Sequence, residues 1–137
     1  MFTVKKTLLA LLVGISLFAS APSQAKAAGL DYYAYSLAYD GLVYAGGAYQ
    51  QSPSPTTYEY YAYIYGYYGL VYTEYAYNAK VYSYQSDAST FCYYSALFGN
   101  YTYQYEGRSY LWFVSAIFET YASDVAELSY YYSPYGI

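Results

Sequence analysis

Laid over one another at an offset of 28, segments 31–49 (DYYAYSLAYDGLVYAGGAY) and 59–77 (EYYAYIYGYYGLVYTEYAY) share eleven of nineteen residues, including an unbroken Gly-Leu-Val-Tyr. A looser third copy starts at Tyr93-Tyr94 and runs through Phe98, Gly99 and Tyr101. Duplicated units of this length usually stack, each burying a face that it cannot bury alone. The chain is therefore expected to build its core from copies of one aromatic unit.

Two periods compete inside these copies. Tyr58, Tyr61, Tyr65, Tyr68, Tyr72 and Tyr75 follow at spacings of three and four, as do Phe91, Tyr94, Phe98, Tyr101 and Tyr105. So do Leu111, Val114, Phe118, Tyr121, Val125, Leu128 and Tyr132, with Glu119, Ser123 and Glu127 on another face. This is the rhythm of helices. Against it, Tyr61, Tyr63, Tyr65 and Tyr67 alternate with small or apolar residues, which suits a strand and cross-β stacking. The three-to-four rhythm spans whole segments and coincides with the caps, so the expected fold class is all-α: a small bundle or stacked helical hairpins of about four helices. A β-rich, tyrosine-alternating assembly is the alternative.

The expected helices cover about 31–46, 57–84, 88–105 and 109–132. Pro53 and Pro55 mark a loop. Thr56 and Glu59 fit a capping box, in which each side chain satisfies an amide of the first turn. Gly107 separates the last two helices and Pro134 ends the final one. Beside the tyrosines of the second helix, Ala62, Gly66, Gly69, Thr73 and Ala76 form a small-residue stripe that would let helices approach closely.

The N-terminus reads as a secretory signal peptide over residues 1–27. Lys5 and Lys6 precede an apolar run from Leu8 to Ala19, and Ala25-Lys26-Ala27 is a small-x-small cleavage site. The run is shorter than the ~20 residues that cross a bilayer. The expected mature chain is then a single tyrosine-rich, repeat-containing domain, residues 28–137, exported to the periplasm or the cell exterior. It holds Lys80 and Arg108 against nine acids, a net charge of −7. Nucleic acid is a poor partner for such a chain, because nothing neutralises phosphates. The acids are scattered and read as solubilising charges, and no transmembrane segment is expected in the mature chain.

Catalysis is poorly supplied. The chain has no histidine, the usual acid–base group near neutral pH. Asp124 and Glu127 are the one acid pair at helical spacing, read first as solvent-facing charges. Cys92 is the single thiol, with no base nearby to make thiolate; it reads as a small buried residue or as an intermolecular disulfide. No zinc or calcium ligand set and no phosphate loop is present in the sequence, so no cofactor and no metal are expected. Asn100-Tyr101-Thr102 is a bare match to a glycosylation acceptor and carries no weight.

Twenty-nine tyrosines remain to be explained. Tyrosine buries ring area while keeping a hydroxyl for water, backbone or a partner, hence its enrichment at interfaces. The expected function is that of an exported structural or interaction protein, not an enzyme, which self-associates, binds another extracytoplasmic protein or coats a surface. Its expected interaction surface is Tyr58, Tyr61, Tyr65, Tyr68, Tyr72 and Tyr75. The alternative is a small-molecule or glycan binder with a phenol-lined cleft built from the recurring doublets Tyr32, Tyr33, Tyr60, Tyr61, Tyr93 and Tyr94. Phenols relaying radicals or crosslinking as dityrosine rank below both.

Overall fold

The computed structural model describes residues 23–133, with side chains from Gly29 onward. The signal-peptide segment and Pro134 lie in whole or in large part outside these described residues. Four helices follow in order: α1 (Ser23–Gln51), α2 (Thr57–Ala79), α3 (Tyr84–Tyr105) and α4 (Leu111–Tyr132). No strand occurs among the described residues, so the helical period prevails over the alternating one. Short loops make consecutive helices antiparallel neighbours, and α1 closes the ring against α4.

Local chemistry accounts for most of the ends. Thr56 caps α2: its hydroxyl accepts from the Glu59 amide at 3.2 Å, and Glu59 Oε1 accepts from the Thr56 amide at 3.0 Å. The expected continuation of the second helix to residue 84 is corrected by Lys80, which takes the left-handed conformation at φ 56° and stops α2 at Ala79. The turn through Val81 and Tyr82 then starts α3 at Tyr84, earlier than expected. Gly107, at φ +63°, turns the chain between α3 and α4, and Ser109 Oγ accepts from the Leu111 amide at 3.1 Å. The first helix extends beyond the expected 31–46 at both ends, carrying through Gly46-Gly47 to Gln51, just before the proline loop.

Most buried apolar positions are small residues, and none is a tyrosine. The stripe Ala62, Gly66, Gly69, Thr73 and Ala76 is the buried face of α2, joined by Glu59. Opposite it, α3 buries Ala88, Cys92, Ser95, Ala96, Gly99 and Thr102. The larger core residues come chiefly from α4 (Trp112, Val114, Phe118 and Val125), with Leu30 and Leu37 from α1. None of the described tyrosines is buried, and most are exposed. The sequence periodicity therefore identified helices correctly while the tyrosine series lies beside the inward face.

The duplication is visible in three dimensions. Ala34 and Ala62 are buried at matching positions, as are Ala48 and Ala76, whereas Tyr32 and Tyr60, and Tyr39 and Tyr67, are exposed. Tyr44 stacks on Phe118 of α4 at 5.5 Å, and its counterpart Tyr72 stacks on Phe91 of α3 at 5.3 Å. Gly41 faces Glu119, and its counterpart Gly69 faces Cys92. The pairs α1/α4 and α2/α3 thus repeat one packing scheme around the bundle, with the glycine of each copy admitting a side chain from its partner helix.

Gly69 sets the α2–α3 approach. A Cβ there would stand 2.6 Å from Cys92 Sγ and 3.3 Å from the Cys92 backbone nitrogen. Gly69→Ala gains about 1 kcal/mol of helix propensity, but overpacking of a close helix contact costs about 1–3 kcal/mol. A net loss is expected. At Gly46 and Gly47 a Cβ would meet only the Tyr63 ring at 3.8 Å or Leu111 Cδ1 at 3.5 Å. Alanine at either should therefore stabilise by about 0.5–1 kcal/mol. Urea unfolding of the three variants checks this; Gly69→Ala at or above native stability would contradict the packing role.

Candidate interaction surface

The six tyrosines Tyr58, Tyr61, Tyr65, Tyr68, Tyr72 and Tyr75 line the seam between α2 and α3. Tyr75 and Tyr72 each contact Tyr84 at 5.8 Å, Tyr68 meets Phe91 at 5.5 Å, and Tyr65 stacks on Phe98 at 5.8 Å. Tyr61 meets Phe98 at 5.4 Å, and Tyr58 meets Tyr101 at 4.6 Å, which in turn meets Tyr105 at 5.1 Å. The result is a continuous ribbon of rings along the seam. Tyr58, Tyr61, Tyr68 and Tyr75 are exposed, while Tyr65 and Tyr72 are half-buried and Tyr72 also packs against the core. Offset and edge-to-face aromatic pairs are worth about 0.5–1.5 kcal/mol each beyond the area that they bury. The ribbon therefore braces the helix pair while presenting phenols outward. Tyr105, at its end, is 74% exposed.

The doublets do not converge. Tyr32 and Tyr33 lie near the start of α1, where Tyr32 meets Tyr77 at the far end of α2. Tyr60 and Tyr61 sit in the first turns of α2, at the opposite end of the bundle. Tyr93 and Tyr94 are midway along α3, with Tyr94 reaching the ribbon at Tyr65. A single cleft lined by all six is absent from the described residues.

Three of the nine acids overturn their reading as solubilising charges. Asp31, Glu59 and Glu119 are all buried. Glu59 ties one end of the bundle together. Its Oε2 accepts from Trp112 Nε1 at 2.8 Å, its Oε1 accepts from Ser52 Oγ at 3.1 Å, and Arg108 Nε stands 3.4 Å away. Thr56 adds a link to Glu106 at 2.7 Å. At the other end, Lys80 Nζ pairs with Asp31 Oδ2 at 3.1 Å and lies 4.5 Å from the Tyr77 ring centre. Burial pushes the Asp31 carboxyl above its ordinary range despite the lysine.

Glu119 is different, because neither of its oxygens has a hydrogen-bond partner. It lies against Gly41 and Gly66, with the Cys92 thiol nearby. Burial raises its pKa well above the ordinary value, with the thiol acting in the opposite direction. Burial first, and Glu119 second, push the Cys92 thiol up as well. A fully enclosed, un-ionised thiol cannot reach a second chain while the bundle is closed, so burial is the reading of Cys92 that fits this fold. No group of three or more metal-ligating side chains occurs among the described residues, and none of their helices is long and apolar enough to cross a membrane.

The chain matches no family model, no curated protein and no solved structure.

Proposed function

We propose that this is an exported structural or interaction protein, not an enzyme, that self-associates or coats a surface through its tyrosine-covered helix faces, foremost the ribbon on α2 and α3. The observation that carries this reading is the division of the bundle into a small-residue interior and a phenolic exterior. Contiguous exposed aromatic area on a small domain marks an interaction site, and tyrosine ring faces are well suited to interfaces that remain partly wet. Export to the periplasm or the cell exterior is the reading supported by the Lys5-Lys6 start, the apolar run and the Ala25-Lys26-Ala27 site.

Sedimentation velocity from micromolar to hundreds of micromolar is the test. The protein should shift to larger species with concentration, and the triple variant Tyr61→Ser, Tyr68→Ser, Tyr75→Ser should shift less while keeping its helical circular dichroism. A strict monomer over the whole range would remove self-association.

A further inference from the structure

Next to the ribbon, and sharing Tyr94 with its edge, lies a different surface. Between α3 and α4 runs an open furrow of about 660 Å³, lined by Tyr93, Tyr94 and Tyr130 together with serines and a threonine. Asp124 and Glu127 project from α4 into it, one helical turn apart. Asp124 also borders a second hollow of about 410 Å³ further along the same helix pair. The volume of the first lies within the range of small-molecule sites.

Hydrogen bonding inside the furrow narrows the ligand. Ser123 Oγ donates to the Ser89 carbonyl at 2.8 Å and pairs with Ser89 Oγ at 3.1 Å, and Thr90 Oγ1 donates to the Ser86 carbonyl at 3.2 Å. These hydroxyl protons are directed back into the helices. Asp124 and Glu127, by contrast, form no hydrogen bond or ion pair within the described residues. The two cations whose side chains are described are engaged elsewhere, Lys80 with Asp31 and Arg108 with Glu59. The furrow offers the phenol hydroxyls and that of Ser86, uncompensated negative charge and ring faces. An anion is repelled. A neutral sugar chain can use the hydroxyls but supplies no counter-charge to the two carboxylates. An ammonium group is donor-only and gains from both the carboxylates and the tyrosine ring faces.

We propose that the α3–α4 furrow binds an organic ammonium ligand, a polyamine or amine-bearing chain, held by Asp124 and Glu127 against Tyr93 and Tyr130. The site does not depend on self-association, since the ribbon tyrosines Tyr61, Tyr68 and Tyr75 lie outside it.

Isothermal titration of the full chain with spermidine, alongside a neutral β-linked glucose hexamer, tests the proposal. Saturable binding of one spermidine is expected. Asp124→Asn and Glu127→Gln should each weaken it at least fivefold, as should Tyr93→Leu, while Glu74→Gln on α2 should leave it unchanged. Raising salt to 0.5 M should weaken it too, because exposed charge pairs are screened. The Tyr61→Ser, Tyr68→Ser, Tyr75→Ser variant should bind normally, which separates this site from the assembly reading. Binding of the glucose hexamer without spermidine would overturn the proposal. Equal weakening by Glu74→Gln would do so as well, showing only diffuse attraction to an acidic protein.

Discussion

Glu59→Ala is expected to cost about 3–5 kcal/mol of folding stability, the usual penalty for removing one partner of a buried charge network. The change removes the acceptor for Trp112 Nε1, for Ser52 Oγ and for the Thr56 amide, and takes the counter-charge from Arg108. The starts of α2 and α4 and the segment that follows α1 lose a tie at once. Domains of this size hold only about 5–15 kcal/mol in all, so the variant should melt at least about 12 °C lower. Glu59→Gln keeps an acceptor for the indole and should lose clearly less. Thermal unfolding followed by circular dichroism measures both. A loss under about 1 kcal/mol for the alanine variant would mean that the loop and Arg108 rearrange to satisfy one another without the carboxylate.

The second large effect is a pH dependence centred on Glu119. Its folded-state pKa is raised well above 4.5, so the unfolded chain releases this proton at a lower pH than the folded one. Stability is therefore greatest where Glu119 is protonated in both states, below about pH 4.5, and falls as pH rises toward the folded value. The slope in that window is about 1.4 kcal/mol per pH unit for one proton. Asp31 and Asp40 are also raised by burial and act in the same direction. Urea unfolding should show the native protein weaker at pH 8 than at pH 5. Glu119→Gln, with nearly the same shape and no charge to bury, should flatten much of that slope and exceed the native protein at pH 8. A native stability that is level from pH 5 to 8 would show that Glu119 finds a compensating partner on ionisation.

These two acids mark where the sequence stopped being legible. The Thr56–Glu59 box could be read from three residues of spacing, and the structure has it. What the spacing could not supply was Trp112 and Arg108, which lie about fifty positions away and make Glu59 a hub rather than a cap. Glu119 sat among Ser123 and Glu127 on what resembled a wet face. It is buried because Gly41 and Gly66 leave room for it on the neighbouring helices, a fact of tertiary approach that no local pattern encodes. The small stripe from Ala62 to Ala76 was recognisable beside the tyrosines, because glycine and alanine at helical spacing have an evident packing use. The end of α2 was not, since Lys80 lacks the glycine signature of a left-handed cap.

The lone indole acquires an unusual position from this arrangement. Trp112 is fully enclosed at the end of the bundle, while the phenols form a shell outside it. Tyrosine absorbs at shorter wavelength than tryptophan and its emission overlaps the indole's absorption, so light harvested by the shell drains inward to a single emitter. The folded protein is in effect an antenna with one reporting centre, and unfolding separates the antenna from its centre. The excitation energy that a free phenol would emit passes instead, without emission, to the residue bonded to Glu59, which makes the wavelength of the protein's fluorescence a readout of that one buried junction.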